Sequence, residues 1–228
     1  VWLNQPSEID VQGNGQSIPN GAAIPTAANR TDFGNTAVSG GALVHTFSIS
    51  SSGAADLVLT GSPAVTLTNS SHFSVTAQPG SSAIASGGAT AFQITFAPSA
   101  AGSFTDTVHI ANNDADEDPY TFVISGAATA PTYTLMVNIS GKGRVDLDPP
   151  GTQISGTLSF SSVYTAGSAV TMTATADTGW QFGGWSGNAS DTAVFPLLMD
   201  SSKAVTATFS QAGSKIYLPI VLKGTSLP

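Results

Sequence analysis

The densest charge in this 228-residue chain is the run Asn112-Asn-Asp-Ala-Asp-Glu-Asp-Pro119, in which Asp114, Asp116 and Asp118 stand at the 1, 3, 5 spacing of a calcium loop. Clustered carboxylates repel one another and gain from a divalent cation, so Ca²⁺ is the one cofactor this spacing suggests. Against it, the glycine expected at the sixth loop position and the glutamate expected at the twelfth are both missing. The same residues also read as a solvated hairpin turn. A second cluster is aromatic: Trp180, Phe182 and Trp185 lie within six residues, interrupted by Gly183-Gly184. Such rings could form a platform for sugars, or they could be the core of a small domain that needs every large side chain it has. On a regular strand Trp180 and Phe182 share a face, and Trp185 lies beyond the glycine break.

Catalytic chemistry finds little to work with. Gly184-Trp-Ser-Gly187 has its second glycine one residue too early for a nucleophile elbow and reads as a turn. His45, His72 and His109 fall on separate strands or strand ends, with no HExxH or paired-carboxylate pattern beside them. Gly141-Lys-Gly143 lacks a phosphate-loop continuation and reads as a hairpin turn. No catalytic residue is assigned. Asn29, Asn69, Asn138 and Asn188 stand in Asn-x-Ser/Thr sequons and are candidate glycosylation sites, although so Ser/Thr-rich a chain generates sequons by chance.

The tail carries a different kind of signal. After Gln211-Ala-Gly-Ser214 come seven consecutive uncharged residues, Ile216, Tyr217, Leu218, Pro219, Ile220, Val221 and Leu222, between Lys215 and Lys223. In an extended strand Ile216, Leu218, Ile220 and Leu222 line one face and Tyr217, Pro219 and Val221 the other, so burial is wanted on both sides. Left exposed, such a strand is a sticky edge, with the lysines and Pro219 as its gatekeepers. Three acceptors are open: a groove in the same chain, a neighbouring copy, or an anchoring apparatus. Similar YLP-type endings on bacterial multidomain secreted proteins point to the third. A tail docked into the next copy would add subunits head to tail without closing, giving a filament. Val1-Trp-Leu3 is a rival donor.

The elements that must position these residues are strands. Short apolar/polar alternations recur at Leu43–Ile49, Ala91–Phe96, Phe104–Ile110, Tyr120–Ile124, Tyr133–Ile139, Ala169–Ala176 and Ala204–Phe209, with Gly, Asn, Asp and Pro between them. No ten-residue stretch sustains a helical period. The expected class is all-β. The small, uncharged Ala127-Ala-Thr-Ala-Pro-Thr132 marks a boundary, dividing the chain into residues 1–130, 131–210 and a hinge plus strand, 211–228. Charge divides there too: residues 1–130 hold nine acidic side chains and Arg30, whereas 131–228 hold five of each sign. The net charge of −8 repels nucleic acid and anionic lipid. There is no cysteine, hence no disulfide framework and no thiolate chemistry. No apolar run approaches a membrane span. The opening Val1-Trp2-Leu3-Asn4, without Met or an apolar leader, suggests a product exported after signal-peptide removal.

Two resemblances join this reading. Ser7–Gly15, Thr31-Asp-Phe-Gly34, Phe92-Gln-Ile-Thr-Phe-Ala-Pro98, Ala111-Asn-Asn-Asp114 and Pro119–Gly126 occur in the order of the choice-of-anchor D repeat, a relative of the ASPM–SPD-2–Hydin group, over residues 7–127. That resemblance implies an Ig-like sandwich of exported bacterial proteins with no activity attached. Tyr133–Val145, Ala174–Gly187 and Met199–Phe209 resemble the divergent InlB B-repeat over residues 133–209, which implies a small β-grasp-like spacer of surface proteins. Thr152–Ser162 is longer than that family's usual link and suggests an extra hairpin. The expectation is a non-enzymatic structural subunit of an extracellular bacterial filament, whose partners are copies of itself. An adhesin or stalk fragment that contacts cell-surface glycans is the alternative.

Overall fold

The computed structural model describes residues 6–38, 40–69, 71–150, 152–154, 159–189 and 192–213. The assembly segment 216–222 and the rival Val1-Trp-Leu3 therefore lie outside the described residues. All the described regular elements are strands, and no described helix is long and apolar enough to cross a membrane. The chain divides into two compact units between Pro131 and Thr132.

In the first unit the strands are β1 (Ile9–Gly13), β2 (Gln16–Ser17), β3 (Asp32–Ala37), β4 (Leu43–Ser51), β5 (Leu57–Val58), β6 (Val65–Leu67), β7 (Phe73–Ala77), β8 (Ala83–Ile84), β9 (Ala89–Phe96), β10 (Gly102–Ile110) and β11 (Tyr120–Thr129). Nine of them form two sheets, ordered β2-β1-β4-β9-β7 and β3-β11-β10-β6, and β5 pairs with β8. Alternation makes this a sandwich. In β11, buried and half-buried residues alternate from Tyr120 to Ala128, so one face meets the core and the other meets water. The core is phenylalanine-rich: Phe47 stacks on Phe92 with ring centres 5.3 Å apart, and Phe73 on Phe96 at 4.7 Å. Gly126 lies against that stack because a Cβ there would come within 2.7 Å of the Phe96 ring.

The second unit comprises β12 (Thr132–Ser140), β13 (Gly143–Asp148), β14 (Thr152–Ile154), β15 (Ser159–Thr165), β16 (Ala169–Ala176), β17 (Trp180–Gly187), β18 (Val194–Leu198) and β19 (Lys203–Gln211). Its sheets are ordered β14-β15-β12-β19-β17 and β13-β16-β18. The pairing of β14 with β15 is the extra hairpin expected at Thr152–Ser162. The run Gly141-Lys-Gly143 instead differs from a hairpin, since β12 and β13 belong to different sheets. Its glycines answer to Phe209: a Cβ at Gly141 would lie 2.1 Å from the Phe209 carbonyl oxygen, and one at Gly143 2.5 Å from the ring. Here the chain crosses between layers at a distance no side chain allows.

Candidate functional site

The charged run between β10 and β11 is a tied structure, and the solvated-turn reading fails at its centre. Asn112 is 2% exposed and Asp114 1%. The Asn112 side chain accepts the Asp114 N–H at 2.7 Å and donates to the carbonyls of Ile110 and Glu117, each at 3.0 Å, closing the loop on itself. The Asn112 N–H donates to Asp118 Oδ1 at 3.0 Å. Outward bonds then fix the loop to the rest of the unit. Ile9 N–H donates to Asp114 Oδ2 at 3.0 Å, Val58 N–H to Asn113 Oδ1 at 2.8 Å, and the Ser7 hydroxyl to the Asn113 carbonyl at 3.0 Å. These satisfy backbone groups where strand pairing stops.

The three carboxylates the fold brings together are not the ones spacing selects. Glu8, Asp114 and Glu117 place one oxygen each within 4.8 Å of the others, whereas Asp116 and Asp118 are exposed and outside that group. Glu8 is invisible to a local motif because it sits more than a hundred residues upstream and arrives through the Ile9–Asp114 bond. Burial, then Asp114, Asp116, Glu8 and Asp10, hold the Glu117 carboxyl above its ordinary range. Tyr120 beside it is 2% exposed, and its hydroxyl donates to the Ile18 carbonyl. Burial, with Glu117 and Asp10 nearby, pushes that phenol up to about 12, so it remains a neutral donor. Glu8, Asp10, Asp116, Glu117 and Tyr120 border an open depression of about 620 Å³.

Of the aromatic cluster, Trp185 is core, and the half-buried Trp180 and Phe182 pack against that core. Trp185 is 8% exposed, meets Phe182 and Phe195 edge-on with ring centres 5.4 Å apart in both cases, and donates its indole N–H to the Thr192 carbonyl at 2.9 Å. A buried indole whose donor is engaged cannot stack on a sugar. Trp185 reaches the core because the ladder with β19 slips between Phe182 and Gly184: Phe182 opposes Phe209 and Trp185 opposes Ala207. One extra residue, Gly183, reverses the side-chain parity, so Trp185 shares the face of Phe182. Gly184, at φ 132°, carries a backbone that favours glycine. The segment Gly184–Gly187 is accordingly strand rather than the turn its glycines suggested.

The histidines stay apart. His45 Nδ1 lies 2.7 Å from the Arg30 carbonyl and its ring stacks on Phe33, His109 Nε2 lies 2.8 Å from the Thr68 hydroxyl, and His72 packs on Phe104. Among the sequons, Asn69 is exposed, and Asn29 uses its oxygen to accept from Thr26 and Thr31. Asn188 accepts the Ala204 N–H, and Asn138 lies in β12 with strands paired on both sides.

One more feature went unread in the sequence. Strands β6 and β7 end their two sheets, and a groove of about 320 Å³ lies between them, lined by Pro63, Val65, Thr66, Leu67, Ser74, Val75 and Gln78. Across its mouth the exposed Gln78 side chain accepts the Val65 N–H at 3.0 Å and donates to the Val65 carbonyl at 2.8 Å.

Comparison with known proteins follows the division into two units. No curated protein matches the chain. Among solved structures, a protein of unknown function from Porphyromonas gingivalis W83 is 17% identical over 56% of this chain and 49% of its own, with a TM-score of 0.41. The VesB protease of Vibrio cholerae is 12% identical over 55% of this chain and 32% of its own, at 0.36. A bacterial adhesin from Mobiluncus mulieris is 8% identical over 91% of this chain and all of its own, at 0.39. The chain thus spans about half the length of the first and about a third of the second, and at these scores the likeness says nothing about function. The family matches are more specific. Residues 26–127 match the HYDIN/CFA65/VesB-like Ig-like domain, and residues 151–213 match the divergent InlB B-repeat domain. This chain therefore carries, in that order, an Ig-like domain of the HYDIN/CFA65/VesB-like family and a divergent InlB B-repeat domain.

Proposed function

We propose that this chain is a structural subunit of an extracellular bacterial filament or surface layer. Its two β units form the body, and the segment Lys215–Lys223 adds as a strand to a neighbouring copy. The two domain types suggest a bacterial surface protein or an adhesin-like stalk, and neither is a catalytic type. The observation that carries the finer reading is the two-sided apolar character of Ile216–Leu222, seven residues without a charge between two lysines. A strand with both faces apolar is stabilised only where sheets meet it on its edges and faces. The nine acidic residues of the first unit complement Lys215 and Lys223 and speed encounter between copies.

The glycan-contact alternative keeps Trp180, which is half-buried, and the 112–118 loop as its candidate contacts, because Trp185 lies in the core. The test is direct. The intact chain, examined by negative-stain microscopy and sedimentation velocity, is expected to form polymers, and a chain ended after Gly213 to remain monomeric. The same oligomeric state for both would refute assembly through the tail.

A further inference from the structure

We infer that the groove between β6 and β7 is the acceptor for the Lys215–Lys223 segment of a second copy, and that Gln78 is the plug the incoming strand displaces. The inference rests on the assembly reading above and names the surface that would serve it.

Among the described residues no strand pairs with the outer side of β6 or of β7, although the two lie on the same flank of the sandwich, one ending each sheet. Their backbone groups point into the space between. The Ala97 N–H donates to the His72 carbonyl, so His72 and Ala97 form a hydrogen-bonded pair. Alternation along an antiparallel ladder then turns the N–H and C=O of Phe73 and Val75 away from β9. On β6 the outward groups belong to Val65 and Leu67, and both of those on Val65 are held by a single side-chain amide, that of Gln78. A primary amide presents its oxygen and one of its two N–H groups side by side, as one strand residue presents its C=O and N–H to a neighbour, so Gln78 occupies the place of one residue of a neighbouring strand. It is also exposed, so a strand can replace it without opening the core.

The other edges of the first unit serve less well. Strand β2 has two residues. In β3, Gly34 has φ 76° and the ladder with β11 slips beside it, which breaks the straight edge a strand needs. In β7 the slip falls after Val75.

The occupant fits in chemistry. Seven extended residues, Ile216–Leu222, span about 23 Å, so three of them pair with Val65–Leu67 and the rest run on past the ends of β6, with apolar side chains against the half-buried Leu67 and Val75. Pro219, which has no N–H, can face a site that offers no acceptor. Val65 pairs with Ile110, the last residue of β10, so one end of the groove lies toward the start of the acidic 112–118 loop, where a flanking lysine is welcome.

The chain has no native cysteine, which makes the test clean. Chains bearing Thr66→Cys are mixed with chains bearing Tyr217→Cys under mild oxidation, with Asn35→Cys and Val194→Cys as controls on other strands. A disulfide-linked pair for residue 66 with 217, and none for 35 or 194, is expected on non-reducing gels. In parallel, Gln78→Ala is expected to lower the concentration at which polymers appear by roughly tenfold, since two competing hydrogen bonds are removed. Near-UV circular dichroism verifies that the variant is folded, and Gln78→Glu, which accepts but cannot donate, should fall between. Equal linkage at residue 35 or 194, or polymers indifferent to Gln78, would each overturn the inference. Polymers that need the tail but give no 66–217 link leave assembly standing and place the acceptor elsewhere. A chain that stays monomeric with and without its tail refutes the assembly reading itself.

Discussion

The acidic loop at 112–118 and the aromatic run at 180–185 both look like sites in the sequence, and both become supports in the fold, by opposite means. The loop is held by hydrogen bonds: Asn112 closes it, Asn113 and Asp114 tie it to β5 and β1, and like charges are left facing one another at Glu8, Asp114 and Glu117. The aromatic run is held by burial, with one hydrogen bond satisfying the indole. The contrast teaches that residue type alone does not mark a site. What matters is whether the reactive atom remains free once the backbone has been satisfied. In the loop some carboxylate oxygen remains unburdened, whereas the tryptophan keeps nothing free.

The comparison breaks most visibly at Trp185. Trp185→Ala removes a ring packed on Phe182 and Phe195 and is expected to destabilise the second unit by about 3–5 kcal/mol. A module this small has little margin. Loss of its near-UV dichroism at 25 °C is the readout, and a variant that melts within a degree or two of the parent would return the ring to the surface. Gly143→Ala probes the same core from the other side. Its Cβ would meet the Phe209 ring at 2.5 Å, so a loss of about 1–3 kcal/mol is expected. An unchanged melting temperature would mean that the ring moves aside freely.

The loop breaks differently. Asn112→Ala deletes three side-chain bonds and strands a buried Asp114 N–H, which should cost about 2–3 kcal/mol. Amide exchange at Ile9 and Asp114 should accelerate with it. Asp116→Asn, on an exposed residue of the same loop, should change stability by less than about 0.5 kcal/mol. Equal effects from the two substitutions would mean that the loop is not organised around Asn112.

How much of this was legible follows from the range over which each signal acts. Alternation is local, so Phe104–Ile110 announced most of β10, and the period-two pattern of Tyr120–Ile124 announced the start of β11. Pairing is not local. Nothing in Asp32–Ala37 shows that it lies parallel to β11, nor does Thr132–Ser140 show that it lies parallel to β19, because register between distant strands is set by the core they jointly enclose. Parity fails at a bulge. Gly183-Gly184 was visible as a break, but which face Trp185 would meet depended on the slip against β19. The carboxylate set was half legible: Asp114 and Glu117 stand in the acidic run, and Glu8 joins them only through the path of β1. Gln78 gave no signal at all, since an edge-capping amide looks like any polar loop residue until Val65 lies beside it.

A small effect separates the two regions most sharply, because only the loop stores charge repulsion. Glu117 is half-buried, and its carboxyl is raised by burial and by Asp114, Asp116, Glu8 and Asp10, so the folded chain holds that proton more tightly than the unfolded chain does. A group raised in this way supports the fold fully below its unfolded value of about 4.3. That support disappears as pH rises through the folded value, so the folded state carries a repulsive glutamate at neutrality. Glu117→Gln should therefore stabilise the first unit at pH 7 by no more than about 1 kcal/mol, given how readily solvent and salt screen a half-exposed group. The gain should shrink toward zero below pH 4 and should also shrink when salt is raised at pH 7. Thermal melts of both proteins between pH 3.5 and pH 8 decide it. A gain largest in acid, or one that ignores salt, would mean that Glu117 is held by bonds like those of Asn112 rather than strained by its neighbours, and the contrast between a charged support and an apolar one would collapse.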